Sequence, residues 1–134
     1  MIKYFLMLDD IRRFQDISYP NSVYDIIHNE ELEIITCTNY QQFCDCINKN
    51  NLPRIVSFDH DITLQHYKNC NRGGRINYNL LKEKTGYDCA KFLIDYCIKN
   101  NLKLPKYYVH SMNPVGKANI IQLLRKFELE TING

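Results

Sequence analysis

Arg54-Ile55-Val56-Ser57-Phe58-Asp59-His60-Asp61 is a short apolar run that ends in three ionisable side chains. Ile55, Val56 and Phe58 are β-branched or aromatic, and Pro53 stands just before them, where a strand tolerates proline. The run predicts a buried strand. Asp59, His60 and Asp61 arrive where the apolar residues stop, and core packing gives no reason to gather three such groups at a strand tip. In open α/β sheets that tip is where ligands bind. The stretch is therefore read as a core strand and as the centre of a candidate site.

The chain on either side repeats an alternation of strand and helix. Residues 2–8 are continuously apolar and stop at Asp9-Asp10, the pattern of a parallel strand buried on both faces. Ile11 to Tyr19 is a mixed connection. Pro20 to Asn29 predicts a short helix, with Pro20 in its first turn and Val23, Ile26 and Ile27 on one face. Leu32 to Cys37 predicts a second strand. Thr38 and Gln41 have capping-box spacing for a helix to about Lys49, with Tyr40, Phe43, Cys44 and Ile47 on one side. After the central strand, Ile62 to Lys84 is irregular and contains Arg72-Gly73-Gly74-Arg75. A loop this long in a compact domain is usually functional or disordered. Thr85 then opens a helix to about Asn100, in which Cys89, Phe92, Leu93, Tyr96 and Cys97 share a face. Pro105 to Val109 predicts a fourth strand ending at His110-Ser111. Asn113-Pro114 reads as an N-cap followed by proline at the first helical position. That helix runs to about Lys126, burying Ile120, Leu123, Leu124 and Phe127. Phe127 to Ile132 reads as a fifth, edge strand or as a tail.

Strands alternating with amphipathic helices predict one α/β domain over residues 1–134, a parallel sheet with helices on both faces. Right-handed crossovers place every strand C-terminus on one rim. In the order 2-1-3-4, the first and third strands are neighbours. Asp9 and Asp10 then face Asp59 and Asp61, with His110 and Ser111 beside them.

Bulk properties narrow the function classes. The chain has 134 residues and is 45% hydrophobic, enough for one core and not for two. A net charge of +2 gives no argument for nucleic acid. The apolar start is cut off by Asp9-Asp10, too early for a signal peptide or a membrane span. The expectation is a cytoplasmic protein, in a bacterial cytosol or an infected host cell, with no membrane partner. The 6 cysteines fall among apolar residues without Cys-x-x-Cys spacing, so they read as reduced core thiols rather than disulfides or zinc ligands. Abundant Asn, Ile, Lys and Tyr reflect AT-rich coding, as in a virus or a low-GC bacterium.

Carboxylates from two adjacent strand tips raise one another's pKa unless a cation sits between them. Oxygen ligands in an open pocket favour Mg²⁺ or Mn²⁺, with Asp9, Asp10 and Asp59 as the expected ligands. Such an ion neutralises a phosphate oxygen and polarises phosphorus, so the expected partner is a small phosphorylated or nucleotide ligand. His60 and His110 have the chemistry of a general base and a general acid; Asp61 would orient a histidine or a water. Ser111 and the helix start at Asn113 would hold phosphate, with Lys117 and Asn119 in the next turns. Arg72 and Arg75 would clamp it from the long loop. Each has a structural alternative: Asp9 or Asp10 can cap a turn, the histidines can bond backbone, Asn113 can be a cap alone, and the loop arginines can be solvated. Thr85 with Asp88 is most simply a capping box.

Leu8-Asp9-Asp10-Ile11-Arg12, Ile55-Val56-Ser57-Phe58-Asp59-His60-Asp61, Thr85-Gly86-Tyr87-Asp88-Cys89-Ala90 and His110-Ser111-Met112-Asn113-Pro114-Val115-Gly116-Lys117-Ala118-Asn119-Ile120 follow one another in an order that resembles the cyclic-phosphate processing receiver-like family, found in bacteria and phages. The resemblance covers residues 1 to about 125. It implies a flavodoxin-like, receiver-like fold of four or five strands in the order 2-1-3-4-5, with an acidic metal pocket at the rim. By position, the paired acids of a receiver fall on Asp9 and Asp10, its phosphoacceptor on Asp59, and its hydroxyl residue on Ser111. The chain departs from signalling receivers in two ways. Phe127 to Gly134 supplies no lysine after a fifth strand, and His60, Asp61 and His110 are foreign to receivers. Both departures favour hydrolysis over phosphoacceptance. The segment from Ile11 to Glu31 is also longer than the usual family connection. The resulting expectation is a metal-dependent phosphoesterase acting on a cyclic phosphate or a nucleotide-derived signal, with a messenger of host defence as one extension. Its rival is a non-catalytic module that binds a nucleotide or blocks a host protein.

Overall fold

The computed structural model describes residues 2–62 and 84–133. They form β1 (Tyr4–Leu8), a 3-10 turn (Phe14–Asp16), α1 (Asn21–Asn29), β2 (Glu33–Cys37), α2 (Tyr40–Asn50), β3 (Ile55–Phe58), α3 (Gly86–Lys99), β4 (Lys106–Val109) and α4 (Pro114–Asn133). The 4 strands make one parallel sheet in the order β2-β1-β3-β4. This is the expected α/β, flavodoxin-like arrangement. Arg72, Arg75 and Cys70 lie outside the described residues.

The alternation of each strand sorts its side chains onto two faces. Tyr4, Leu6 and Leu8 of β1 join Val56 and Phe58 of β3 against Phe43, Ile47, Leu93, Ile120 and Leu124 from α2, α3 and α4. Phe5, Met7 and Ile55 point the other way, under Ile17, Tyr19, Val23 and Leu32. Every residue of β1 is buried, as its unbroken apolar sequence requires. Burying each large apolar side chain contributes roughly 1.5–3 kcal/mol, so this double-sided core holds β1 and β3 side by side. Ser57 lies between Val56 and Phe58 and shares the Ile55 face, where it too is fully buried. The connection from Ile11 to Tyr19 closes over that face. Phe14 stacks on Tyr19 with ring centroids 5.5 Å apart, and Phe5 meets both rings edge-on.

Three local expectations are corrected. Residues 127–132 continue α4 and form no fifth strand. Lys126 to Thr131 contains no glycine or proline to stop a helix, and Phe127 prolongs the buried stripe of Ile120 and Leu124. Tyr107 fixes the same turn by donating its hydroxyl to Glu128 Oε1 at 2.5 Å. The N-cap of α2 is Asn39, whose Oδ1 accepts from the Gln42 amide at 2.8 Å, rather than Thr38 with Gln41. The side chain that reaches back to Thr38 is Gln42, one residue further on. Pro20 precedes the first turn of α1 instead of lying in it.

The capping box of α3 forms as the sequence indicates: the Asp88 carboxylate accepts from the Thr85 amide at 2.8 Å, and the Thr85 hydroxyl accepts from Tyr87. Cys37, Cys44, Cys46, Cys89 and Cys97 are free thiols. Among the described residues, no helix is long and apolar enough to cross a membrane.

Candidate active site

The sheet order makes β1 and β3 neighbours, with Leu8 opposite Phe58, so the residues that follow them emerge together. β4 lies on the far side of β3, with Val109 opposite Phe58. Asp9, Asp59 and His110 thus leave three strand ends at one level. Each of the three offers a ligand atom within 4.8 Å of the others, and all three residues are buried. Asp10, expected among the ligands, is not part of this cluster. It lines an adjacent groove of about 370 Å³ with Ile11, Arg12, Phe14, Ile34, Thr36 and Thr38.

Asp9 is the most heavily bonded member. Its Oδ1 accepts from the amides of Ile11 and Arg12, both at 2.9 Å. Its Oδ2 accepts from Arg12 Nε at 3.0 Å and faces His110 Nε2 at 3.0 Å. Burial alone would raise the Asp9 pKa, but the His110 contact, the two amides and the Arg12 charge together hold it at about 2. Asp59 goes the other way. It accepts from the His60 amide at 2.8 Å. Burial first, and the Asp9 charge second, push it up to about 7 against the opposing charge of Arg12. Two neighbouring carboxylates with pKa values driven apart mark a site built for charge.

His110 is held at both ring nitrogens. Nε2 faces Asp9, and Nδ1 lies 2.6 Å from Ser57 Oγ. Ser57 in turn accepts from the Tyr19 hydroxyl at 2.9 Å. With Tyr19 donating to Ser57 and Ser57 to Nδ1, the neutral ring keeps its proton on Nε2, toward Asp9. Burial lowers the His110 pKa despite the nearby Asp9 charge, which keeps the ring neutral at neutral pH.

His60 occupies a different position. It is buried, its Nδ1 lies 2.8 Å from Asp61 Oδ1, and Asp61 also accepts from Asn113 Nδ2 at 3.4 Å. The His60 ring lies against the first turn of α4, where a Cβ at Gly116 would overlap its Cγ. Asn113 Oδ1 accepts from the Gly116 amide at 3.1 Å, so Asn113 is an N-cap as well as a neighbour of the site. The Ser111 hydroxyl accepts from the Asn113 amide at 3.1 Å. Lys117 is half-buried in the next turn. Asn119 lines a groove between α3 and α4 with Tyr87, Gln122, Leu123 and Lys126. On the α3 side, a Cβ at Gly86 would overlap the Asp59 carbonyl, so only glycine lets that helix start so close to the β3 tip.

Residues 4–126 match the cyclic-phosphate processing receiver domain. The chain belongs to that family. No curated protein and no solved structure matches the chain. As a cyclic-phosphate processing receiver domain, it carries the acidic rim that the resemblance implies, with His110 closing the group in place of Asp10. Arg12, Ser57 and Tyr19 complete the network without having been singled out from the sequence. Ser57 left a signal there, as a lone hydroxyl inside an otherwise apolar strand. Arg12 left a weaker one, three residues beyond an acidic strand end. Tyr19 left none, because its role depends on how the connection folds back over β3.

Proposed function

We propose that this rim hydrolyses a cyclic phosphate carried by a nucleotide or a nucleotide-derived signalling molecule, with a divalent cation as cofactor. One observation carries the reading: two buried carboxylates and a buried imidazole converge within 4.8 Å in a domain of the cyclic-phosphate processing family. Asp9 and Asp59, with His110, would hold the ion. Two carboxylate oxygens and one imidazole nitrogen suit Mn²⁺ better than Mg²⁺, which favours an all-oxygen shell. The donor set also fits on charge, since Arg12 alone leaves Asp59 shifted up to about 7. When bound, the ion would supply charge neutralisation on a phosphate oxygen and polarisation of phosphorus.

In the reaction a water oxygen bonds to phosphorus, one ring P–O bond breaks, and the departing oxygen takes a proton, leaving a phosphomonoester. His110 would present a bare Nε2 to the ion, with the ring proton on Nδ1 and donated to Ser57 Oγ, which keeps the ring oriented. Ser111, Asn113 and Lys117 lie at the start of α4, where amides and the helix dipole favour an anion. His60 and Asp61 fasten that helix start to the tip of β3 and so set its distance from Asp59. A cyclic nucleotide messenger of host defence falls within this substrate class.

The test is incubation with 2′,3′-cyclic, 3′,5′-cyclic and ADP-ribose cyclic phosphates in the presence of Mg²⁺ or Mn²⁺. The wild-type protein converts at least one to its monoester, and Asp59→Asn does not. Unchanged substrates across the panel would overturn the reading. A second reading, capture of the ligand without turnover, draws on the saturation of Asp9 by hydrogen bonds. It predicts ligand binding that survives Asp59→Asn.

A further inference from the structure

We propose that Arg12 is a resident counter-charge that competes with a divalent cation for Asp9 and Asp59 and so sets the affinity of the rim for the ion. The proposal rests on the preceding reading of the rim as an ion site. Its basis is the path of one side chain. Arg12 follows β1, yet its Nη2 donates to the carbonyl of His110, which follows β4, at 3.3 Å. β3 lies between those two strands. The guanidinium therefore crosses the tip of β3. On the way, Nε donates to Asp9 Oδ2 at 3.0 Å, and Nη2 passes 3.7 Å from Asp59 Oδ1. It reaches both carboxylates of the cluster from its solvent side: the Arg12 side chain is 27% exposed, whereas those of Asp9 and Asp59 are 0% and 4% exposed.

Two consequences follow. Asp9 Oδ2 already has Arg12 Nε and His110 Nε2 as partners; an ion held by His110 would take the place of the Nε2 proton, so the partner left to contest that oxygen is Arg12. Arg12 is the one free to go. His110 is locked at its other nitrogen by Ser57, whereas the half-buried Arg12 side chain holds Asp9, Asp59 and the His110 carbonyl from the solvent side. The withdrawal needs no backbone change, because the Arg12 amide stays bonded to Asp9 Oδ1. A purely structural arginine would brace the strand ends without affecting ion binding, and that difference is measurable.

The experiment is calorimetric titration of Mn²⁺ and of Mg²⁺ into chelator-treated wild-type protein, Arg12→Gln and Arg12→Lys. Removing a charge-assisted competitor raises affinity roughly tenfold or more in Arg12→Gln. Arg12→Lys keeps the charge but loses the planar fork that spans Asp9 and the His110 carbonyl, so its affinity rises less. If Arg12→Gln does not fold without an ion, tighter binding by Arg12→Lys than by wild type carries the same conclusion. Equal or weaker ion binding by the folded variants overturns the role of Arg12 and leaves the hydrolysis reading intact, provided the wild type binds. Absence of binding by every form removes both.

Discussion

Asp59→Asn should make the protein more stable while it removes the activity, and the gain should depend on pH. Burial first, and the Asp9 charge second, lift Asp59 from the ordinary 3.8 to about 7. Between those values the folded protein holds a proton that the unfolded chain has released, so this residue lowers stability as pH rises through the window. The gap of about 3 pH units, at 1.36 kcal/mol each, sets a ceiling of about 4 kcal/mol at neutral pH and above. Asparagine keeps an Oδ1 for the His60 amide and carries no charge. Asp9 and His110 also titrate differently in the folded state, but both are present in the two proteins and largely cancel in the comparison. The assay is urea unfolding of both proteins in chelator. The two should be nearly equal at about pH 4, and the variant should lead by about 2–4 kcal/mol at about pH 8. Saturating Mn²⁺ should then stabilise the wild type and leave the variant unmoved. A variant less stable than wild type at the higher pH, or a difference independent of pH, would refute the reasoning.

Other substitutions probe the supports of the rim. Ser57→Ala leaves the Tyr19 hydroxyl and His110 Nδ1 without their partner in a buried setting, at a cost of about 1–3 kcal/mol in urea unfolding; a loss below about 0.5 kcal/mol would contradict the network. Gly86→Ala drives a methyl group into the Asp59 carbonyl and Gly116→Ala drives one into the His60 ring. Each should cost about 1–3 kcal/mol and lower turnover in proportion to the displacement of the β3 tip, read by unfolding and kinetics together. Asp88→Ala removes half of the capping box of α3 and should cost about 1 kcal/mol with unchanged ion affinity by calorimetry, since Asp88 serves the helix start alone.

The fold was legible because its strands carry uninterrupted apolar runs that stop at polar groups. Met7-Leu8-Asp9 and Phe58-Asp59 place their carboxylates at strand ends whatever the helices do, and the parallel order then brings them together. Helix ends were legible where a side chain closes on its own neighbours, as Thr85 does with Asp88, and misread by one residue at Thr38, where two polar residues compete for the cap. The helical fate of residues 127–132 depends on contacts such as Tyr107 with Glu128, which local pattern does not contain. The same limit applies to the site. Asp9, Asp59 and His110 were visible as rim chemistry, whereas the parts played by Arg12 and Tyr19 arise from side chains that cross between elements far apart in sequence. His60 has a place at the rim that its sequence position indicates, and contacts with Asp61 and with Gly116 of α4 that local pattern does not contain.

The most direct test of the whole account is ³¹P NMR of a cyclic nucleotide panel incubated in ¹⁸O-labelled water with the wild-type protein and Mn²⁺. Hydrolysis at the rim predicts a phosphomonoester resonance bearing one ¹⁸O isotope shift, absent with chelator and absent with Asp59→Asn. A folded protein that binds Mn²⁺ and leaves every cyclic phosphate unlabelled and intact would contradict it.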